Sequence, residues 1–504
     1  MTEPFSAAHN GSPSLPVRSA FARSRAALEC AAAFVACFGL MLWIEFAGPA
    51  IVDHDGYYHI RWSWMLRQSA PHLPRFEWLP LTILRAPDYV DHHFFFHVLL
   101  TPFTFGDLRI GAKVAAAFFA ALALTALFGV LIAWRLRFRW FWLALMAVGA
   151  EQFIYRMTMT RAPSLSLALL ATGSWLILRR RLWPLAFLTF VFVWTYSMFP
   201  LMVIFACAYA ATVYFCEKRI DLGAVCATVT GAVAGLVINP YFPKNLALLW
   251  RHVLMVRGGA SEVDPGVEWG PFDTWQSLTD DLAVCVVFFL ALLAFDWRRR
   301  KADSRPLFFL LLFLLFTVFL ARWSRFVEYW PPFAVLFAAF TLDPLLPRIK
   351  GRNRVAMLVL TLAVTAAPLW RNIHEGRDDV ITEEDPFGLR GASAWLAQHT
   401  PAGSLVFNTA WDEFPMLFFY NQHDVYVSGL DPRYLTDAHA DLGRLYEAVV
   451  KGQEKHPGAA IVSRFGAHYV VTGNSQEDFL DAARSSGEFE TVYSDSNAQV
   501  LRIR

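Results

Sequence analysis

The stretch I51-V-D-H-D-G-Y-Y-H-I-R-W62 places two aspartates, two histidines and an arginine directly after an apolar run. Carboxylates hold divalent cations, and an arginine guanidinium binds phosphate oxygens through paired hydrogen bonds. Side chains of these types, so close together, can bind a phosphate group or a metal ion. Their use depends on the elements that position them, and those elements follow from the hydropathy of the chain.

The composition is that of a membrane protein. Hydrophobic residues make up 56% of the 504 positions and charged residues only 17%, which is too apolar for a soluble enzyme of this length. A net charge of +2 gives no reason to expect nucleic acid as a partner. The six cysteines lie in or beside apolar runs without the spacing of metal ligands, so no disulfide framework is predicted.

Apolar runs predict about eleven membrane-spanning helices, since roughly 17–25 mainly apolar residues are needed to cross the bilayer as a helix. The expected fold class is therefore an α-helical polytopic membrane protein. The predicted spans are 27–47, 111–134, 140–155, 163–178, 182–196, 199–216, 222–239, 282–296, 306–321, 328–346 and 355–371.

Clusters of arginine and lysine set the expected orientation, because positively charged loops stay in the cytoplasm. Residues 1–26 are predicted to be cytoplasmic, residues 27–371 to form the membrane domain, and loops 48–110 and 240–281 to lie outside. We expect a multi-pass protein of the bacterial inner membrane whose carboxy terminus is periplasmic. The clusters that fall on the cytoplasmic side are Arg18 to Arg25, Arg135 to Arg139, Arg179 to Arg181, Glu217 to Arg219, Trp297 to Lys301 and Arg348 to Arg354.

Residues 372–504 differ in character from the rest of the chain. Charge rises there, and the pattern of short apolar pieces alternating with helical segments predicts a small extracytoplasmic α/β domain. Its loops, rather than its strands, are where a site is expected. The strands are predicted at 404–408, 467–472, 490–494 and 499–503, and the helices at 389–399, 434–451 and 476–486.

Polar residues that packing does not explain gather on the predicted outer face. A single interfacial Asp, His, Tyr or Trp is as often a helix cap or a headgroup anchor as a functional residue, but the concentration on one face favours a site. The set comprises Asp53, Asp55, His59 and Arg61; Asp91, His92, His93 and His97; Arg156 and Arg161; the run from Gly259 to Phe272; and the run Asn408 to Pro415, NTAWDEFP.

Four stretches together resemble the catalytic subunits of oligosaccharyltransferases, the single-subunit bacterial and archaeal enzymes and their eukaryotic counterpart. The resemblance covers most of the chain and suits the wider GT-C superfamily of polyprenyl-phosphate glycosyltransferases. The stretches are D55-G-Y-Y-H-I-R61, similar to the family's first-loop aspartate motif; S261-E262 followed by E268-W-G-P-F272, similar to its serine-glutamate motif; Arg325-Phe326 before Pro331-Pro332; and A410-W-D-E-F-P415 followed by S428-G-L-D431, similar to its Trp-Trp-Asp-Tyr-Gly signature.

The resemblance implies catalytic roles for Asp55 and Glu262. Asp55 would hold a divalent metal, Mg or Mn, from the first loop, and Glu262 would reach both the acceptor and that metal. Arg325 would bind the pyrophosphate of the donor. Asp53 is placed behind Asp55, and His59, one turn beyond Asp55 if a helix restarts there, is either a ligand or a helix cap, with the cap favoured.

The second external loop departs from the family pattern. Oligosaccharyltransferases carry an Asp-x-Asp pair there, whereas Y155-R-M-T-M-T-R-A-P-S-L-S166 has no carboxylate. One reading rebuilds the metal site with Asp91, His92 or His93. The other has no firmly held metal, and Arg161 or Arg156 faces the phosphate of the donor instead. A donor with a single phosphate has less charge for a metal to neutralise.

The signature at Ala410 to Pro415 also departs from the pattern. Alanine replaces its first tryptophan and Glu-Phe replaces its Tyr-Gly. Trp411 and Asp412, with Asp431 further along, remain available to bind an acceptor, but an Asn-x-Ser/Thr peptide is no longer implied. The alternative is that this run is an aromatic loop packed on the membrane face, as Met416 to Tyr420 is expected to be.

Three functions fit these residues. The favoured one is an inverting glycosyltransferase that moves a sugar or oligosaccharide from a polyprenyl-phosphate or polyprenyl-pyrophosphate donor, at the outer face of the bilayer, to a glycan, lipid or protein acceptor. The second is a true protein N-oligosaccharyltransferase acting on asparagine. The third, a membrane transporter or lipid flippase, predicts charged residues inside the spans and two related halves, neither of which the sequence displays.

Overall fold

The computed structural model describes residues 16–257, 270–271, 279–345 and 351–504. Helices dominate the part before residue 383, with short 3-10 turns at Thr101–Thr104, Trp297–Lys301 and Ser324–Glu328. The helices are α1 (Pro16–Glu45), α2 (Asp55–Ser69), α3 (Phe94–Leu100), α4 (Leu108–Ala133), α5 (Arg139–Val148), α6 (Glu151–Thr158), α7 (Pro163–Leu178), α8 (Leu182–Thr195), α9 (Pro200–Glu217), α10 (Gly223–Val237), α11 (Lys244–Arg257), α12 (Leu282–Ala294), α13 (Arg305–Leu320), α14 (Trp330–Leu342) and α15 (Gly351–Thr382).

Each predicted span coincides with helical structure, but few of the helices are long enough to cross a bilayer unaided. In the described ranges, Ser24–Glu45, Leu108–Ala133 and Pro200–Glu217 have the necessary length and apolar character. α6 and α7 reach that length only when taken together, and they are bent by 110° at their junction. The other apolar helices in these ranges have 10–17 residues. The chain is therefore mostly helical, and the count of about eleven spans stays a prediction.

The predicted span 140–155 is wrong as a single helix. α5 ends at Val148 and α6 begins at Glu151, because Ala150 has an extended backbone with φ −140° and ψ 126°, which interrupts the i to i−4 hydrogen bonds. Arg156, expected in an external loop, consequently lies on α6. Only residues 159–162 connect α6 to α7.

The carboxy-terminal part is an α/β domain whose strands β1 (Leu405–Asn408), β2 (Val425–Tyr426), β3 (Tyr469–Gly473), β4 (Phe489–Ser494) and β5 (Ala498–Ile503) form a sheet in the order β2-β1-β3-β5-β4. β1 pairs in parallel with β2 and β3, whereas β5 pairs antiparallel with β3 and β4. Its helices are α16 (Arg390–His399), α17 (Phe414–Tyr420), α18 (Arg433–Ala438), α19 (Ala440–Val450), α20 (Pro457–Ala460) and α21 (Glu477–Ser486).

The predicted strands of this domain are confirmed, with two differences. β2 has two residues, too few to produce an alternating pattern. The helical pattern 434–451 is split into α18 and α19 because His439 has an extended backbone, with φ −147° and ψ 90°. The domain boundary predicted after residue 371 falls inside α15.

The segment between α1 and α4 joins the membrane helices to the α/β domain. α17 packs on α2, with ring centroids 5.3 Å apart for Tyr57 and Phe419, as expected for an aromatic packing helix. Arg61 donates from Nε and Nη2 to the Phe419 carbonyl at 2.9 and 2.6 Å, which satisfies a carbonyl at the end of α17. Trp78 accepts a backbone hydrogen bond from Tyr426 of β2 at 2.9 Å. These contacts fix the first external segment against the sheet.

Candidate functional site

The predicted site residues meet around one cavity of about 1010 Å³ between the helical part and the α/β domain. Its lining combines side chains from the segment after α1, the α6–α7 connection, the turn before α14 and two loops of the sheet. Glu262 lies outside the described residues. The predicted residues that line the cavity are Asp55, Asp91, His92, His93, Arg156, Arg161, Arg325, Trp411, Asp412 and Asp431.

An arginine stands opposite the aspartate of the first-loop motif. Arg161 Nη2 lies 3.0 Å from Asp55 Oδ2, and Arg161 Nη1 donates to Asp53 Oδ2 at 3.2 Å. The three side chains are 16% to 25% exposed, so they are partly screened yet reachable from the cavity. One guanidinium therefore bridges two carboxylates, a geometry that its planar fork supports and a lysine does not.

The backbone before α2 brings the two aspartates to the same side. Asp53 has φ +67°, a left-handed conformation that Asp tolerates better than most residues, and Asp55 is the first residue of α2. A Cβ on Gly56 would lie 2.6 Å from Ile51 Cγ2 and 3.3 Å from Thr160 Cβ. Only glycine there lets the start of α2 approach the residue before Arg161.

The α6–α7 connection holds Arg161 in place. The two helices meet at 110°, and Arg161 lies in the sharp turn between them. Thr160 Oγ1 donates to the Ala112 carbonyl of α4 at 3.0 Å. The position of the guanidinium is thus fixed by the junction of three helices.

The other two predicted phosphate-binding arginines differ in their surroundings. Arg156 is buried and donates from Nε to Glu328 Oε1 at 2.9 Å, so its charge is balanced within the wall of the cavity. Arg325, in the turn before α14, donates from Nη2 to the Tyr196 hydroxyl at 2.8 Å. The Tyr196 hydroxyl is a neutral partner, and Arg325 also lines the cavity.

The described residues do not form the metal site that was predicted from the first loop. No group of three or more His, Cys, Asp and Glu side chains in the described ranges is arranged to hold a metal ion. Asp55 faces Arg161, and Asp91 accepts hydrogen bonds from His97 Nδ1, at 2.8 Å to Oδ2, and from Trp62 Nε1 at 3.0 Å. Its carboxylate therefore points into protein and not towards Asp55.

His59 is not a helix cap, and among the described residues it belongs to no metal-binding group. It lies within α2 and is 4% exposed, and its Nδ1 lies 2.7 Å from His97 Nε2. His97 Nδ1 in turn lies 2.9 Å from Asp91 Oδ1. A buried chain of hydrogen bonds, Asp91 to His97 to His59, therefore ends at the cavity, where His59 contributes to the lining.

The two ends of the hydrogen-bonded series Asp91–His97–His59 differ in charge. Burial, reinforced by the charge of Arg161, lowers the pKa of His59 well below 6.5, so its imidazole is neutral at neutral pH. Burial opposes ionisation of Asp91, but His97 and the Trp62 hydrogen bond outweigh it and hold the pKa of Asp91 below its usual 3.8. The carboxylate at the inner end is therefore charged while the imidazole at the cavity is not.

Asn408 joins the two loops of the α/β domain that reach the cavity. From the end of β1, its Nδ2 donates to the carbonyls of Ala410 and Ser428 at 2.8 and 2.9 Å, and its Oδ1 accepts from the Ser428 N–H at 3.2 Å. A Cβ on Gly429 would meet the Phe414 ring at 2.3 Å, so the loops are in direct contact. They follow two parallel strands, at whose carboxyl ends ligands commonly bind.

Trp411, Asp412 and Asp431 lie on these loops and line the cavity. Asp431 Oδ1 accepts from the Arg433 backbone N–H at 2.8 Å, and burial raises the pKa of Asp431. Asp412 is exposed. The loops thus present an aromatic ring and two carboxylates opposite the arginines.

Two neighbouring groups have large pKa shifts. Burial disfavours the charged form of His54, but the hydrogen bond and charge of Glu384 outweigh it and raise the pKa of His54 to about 9. Burial, followed by the charge of Asp412, raises the pKa of Glu413 to about 8. Glu413 Oε2 is buried with no hydrogen-bond partner in the described ranges.

Several lining residues carry no signal in the sequence. Tyr196 ends α8 and stacks on His93 at 5.4 Å, and Arg433 and Tyr434 flank Asp431. An aromatic residue at a membrane-helix end is ordinary, so Tyr196 is not distinguishable in advance. Arg433 and Tyr434 come two and three residues after S428-G-L-D431, and that motif is the one cue to them.

No protein-family model matches this chain, and no curated protein matches it in sequence. Solved structures do match its shape. AglB, the archaeal oligosaccharyltransferase of Archaeoglobus fulgidus, solved with an inhibitory peptide and a dolichol-phosphate, matches with a TM-score of 0.61 over 89% of this chain and 70% of its own, at 11% identity. An Archaeoglobus fulgidus oligosaccharyltransferase, tethered to an acceptor peptide with the NVT sequon, matches with a TM-score of 0.60 over 94% of this chain and 74% of its own, at 11% identity.

ArnT from Cupriavidus metallidurans, solved with undecaprenyl phosphate, matches with a TM-score of 0.54 over 93% of this chain and 97% of its own, at 15% identity. Both neighbours belong to the GT-C superfamily of membrane glycosyltransferases. The chain has the GT-C fold. The GT-C fold confirms the resemblance indicated by the four sequence stretches, and the structure is mostly helical with a small sheet.

Proposed function

We propose that this GT-C protein is an inverting glycosyltransferase that transfers a sugar from a polyprenyl-phosphate donor to an acceptor at the outer face of the membrane. The observation that carries the proposal is the bridge from Arg161 to Asp53 and Asp55, in a cavity that Arg325 also lines. Two arginines and a carboxylate pair at the rim of a helical bundle suit a lipid-linked phosphate.

The donor phosphate carries the charge that the site must stabilise. As the bond between the sugar C1 and the phosphate oxygen breaks, negative charge grows on the phosphate, and preorganised cations lower the barrier. We assign this role to Arg161 and Arg325. ArnT was solved with undecaprenyl phosphate and AglB with dolichol-phosphate, and both ligands are polyprenyl-type monophosphates, which is the donor class that we assign here.

Asp55 has two tasks in this proposal. It holds the Arg161 guanidinium in the plane of the bridge, and its carboxylate orients the attacking group of the acceptor. The acceptor's oxygen or nitrogen attacks C1 from the face opposite the phosphate, which inverts the anomeric configuration. A metal held by Asp55 and Glu262 stays a prediction, because Glu262 lies outside the described residues.

The acceptor side is assigned to Trp411, Asp412 and Asp431. A sugar stacks well on an indole, and carboxylates accept hydrogen bonds from hydroxyl groups. A protein N-oligosaccharyltransferase is the second candidate, favoured by the likeness to the enzyme solved with a tethered NVT peptide. The Ala410 and Glu413 replacements in the signature weigh against a peptide acceptor.

The test compares cells with and without the gene. Mass spectrometry of their lipids, glycans and glycoproteins should show one glycan or lipid that loses a sugar in the deletion strain, together with accumulation of its polyprenyl-linked donor. Complementation with wild-type protein should restore the sugar and complementation with Asp55→Asn should not. A deletion strain with unchanged glycans, lipids and glycoproteins would contradict the proposal, and loss of a glycopeptide alone would favour the second candidate.

A further inference from the structure

The hydrogen bonds from Asp91 through His97 link a buried carboxylate to His59 at the cavity. The Asp91 carboxylate accepts from His97 Nδ1–H at 2.8 Å, so a neutral His97 has its lone pair on Nε2. That lone pair lies 2.7 Å from His59 Nδ1, which must then carry the hydrogen. A neutral His59 in this arrangement has an unprotonated Nε2 on the other side of its ring.

We propose that His59 Nε2 is the general base that takes the proton of the acceptor, and that Asp91 and His97 are positioning residues that keep its lone pair available. The inference rests on the proposed function, because it assigns a step of that transfer. It assigns the proton acceptor to an imidazole rather than to Asp55, whose carboxylate already bonds to Arg161.

The location of His59 suits this role. It lies one helical turn after Asp55 on α2, so the two side chains share a face, and both line the cavity. Asp55 orients the attacking group, and His59 receives its proton.

The groups packed around His59 are aromatic, imidazole or cationic. Its ring centroid lies 5.1 Å from that of His93, 5.0 Å from that of His97 and 5.4 Å from that of Phe96. Burial lowers the pKa of His59, and the charge of Arg161 lowers it further. The base is therefore unprotonated before the reaction, and the phosphate of a bound donor opposes the cationic field around it.

In the transfer step, the acceptor's oxygen or nitrogen forms a bond to C1 of the sugar. The bond from C1 to the phosphate oxygen breaks, and its electron pair leaves with the polyprenyl phosphate. The proton moves from the acceptor to His59 Nε2. The imidazolium so formed keeps its Nδ1–H bond to His97, and through His97 it is stabilised by the Asp91 carboxylate, which also accepts from Trp62 Nε1.

The variant His59→Asn isolates the base. An asparagine amide takes the place of the Nδ1–H donor towards His97 but has no atom in the place of Nε2, so the buried chain is kept while the base is lost. We expect kcat to fall by about 10²–10⁴-fold, with the affinity for undecaprenyl phosphate changed less than threefold. Asp91→Asn removes the charge that supports the imidazolium, so its kcat should also fall, and the acid limb of its pH profile should move to lower pH.

His72→Asn is the matched control, since His72 is an exposed histidine of the same external segment. We expect wild-type kcat and pH profile for it. Rates are measured with the polyprenyl-linked lipid extract of the source cells as donor, and binding with undecaprenyl phosphate alone. A wild-type rate and acid limb in His59→Asn would overturn the assignment of the base.

Nitrogen-15 NMR of histidine-labelled protein gives a readout that needs no turnover. The wild type should show His59 with a protonated Nδ1 and an unprotonated Nε2, and Asp91→Asn should mix the two tautomers. A wild-type His59 protonated on Nε2 at neutral pH would overturn the inference even in an active transferase. The tautomer as expected, with no transfer from any polyprenyl-linked donor, would instead sink the proposed function together with the base that depends on it.

Discussion

Arg161 Nη2 lies 3.0 Å from Asp55 Oδ2, and this ion pair joins the aspartate that was predicted to hold a metal to the segment 155–166, which has no carboxylate. The sequence has arginine where the resemblance leads one to look for carboxylates. The structure places that arginine against the aspartate that was expected to hold the metal. The guanidinium of Arg161 thus supplies the positive charge beside Asp55 that a metal ion was expected to supply.

Replacing Arg161 tests the assigned phosphate contact. Arg161→Gln should lower the rate of sugar transfer by about 10²-fold, since it removes a preorganised cation from the developing phosphate charge. Arg161→Lys should be intermediate, because one ammonium group cannot bridge both carboxylates. The rate is measured with lipid extract as donor. Arg85→Gln, which changes an exposed arginine paired with Asp88, is the control, and a wild-type rate in Arg161→Gln would contradict the role.

The metal dependence of transfer distinguishes a site with a firmly held metal from a site in which an arginine faces the donor phosphate. We expect transfer by the wild type to persist after EDTA treatment, because Arg161 already bridges Asp53 and Asp55. In Arg161→Ala the two carboxylates lose that cation, and Mn²⁺ binding should become detectable by electron paramagnetic resonance. Activity that disappears in EDTA and returns with Mn²⁺ in the wild type would favour a metal held with Glu262.

Glu413 makes the stability of the folded protein fall as the pH rises from about 4.5 to about 8. Its pKa is raised from 4.5 to about 8 on folding, so between these values the native state binds a proton that the unfolded state has lost, and stability falls as pH rises. Glu413→Gln should remove this contribution and flatten the loss of Tm from pH 5 to pH 8.5. The Tm is followed by thermal denaturation in detergent, and an unchanged slope in the variant would count against the buried protonated carboxyl.

Asn408 should be needed for acceptor use more than for donor binding. Asn408→Ala removes three hydrogen bonds, two of which join the loop of Trp411 to the loop of Asp431. We expect a loss of about 1–3 kcal/mol in unfolding free energy. The KM for the acceptor should rise while undecaprenyl phosphate affinity stays within threefold. Equal losses in both affinities would show that the loops also shape the donor site.

The sequence was sufficient to predict many residues of the candidate site, but not the contacts between them. Residue types and hydropathy were sufficient to select Asp55, Arg161, Arg325 and Trp411, because an ionisable or aromatic residue at the edge of an apolar run needs an explanation. The partner of each side chain was not predictable. Arg156 and Arg161 look equivalent in sequence, yet one is neutralised by Glu328 and the other bridges two aspartates.

The amino-acid sequence by itself determined the apolar helices, the α/β alternation and the residues worth testing, since periodicity and composition are local properties. Only the tertiary structure decided what those residues do to one another. The break at Ala150, the left-handed Asp53 and the close approach at Gly56 set distances between segments far apart in the chain. The hydrogen bonds from Asp91 through His97 to His59 also depend on the tertiary structure, because a hydrogen bond requires positions in space that no local pattern encodes.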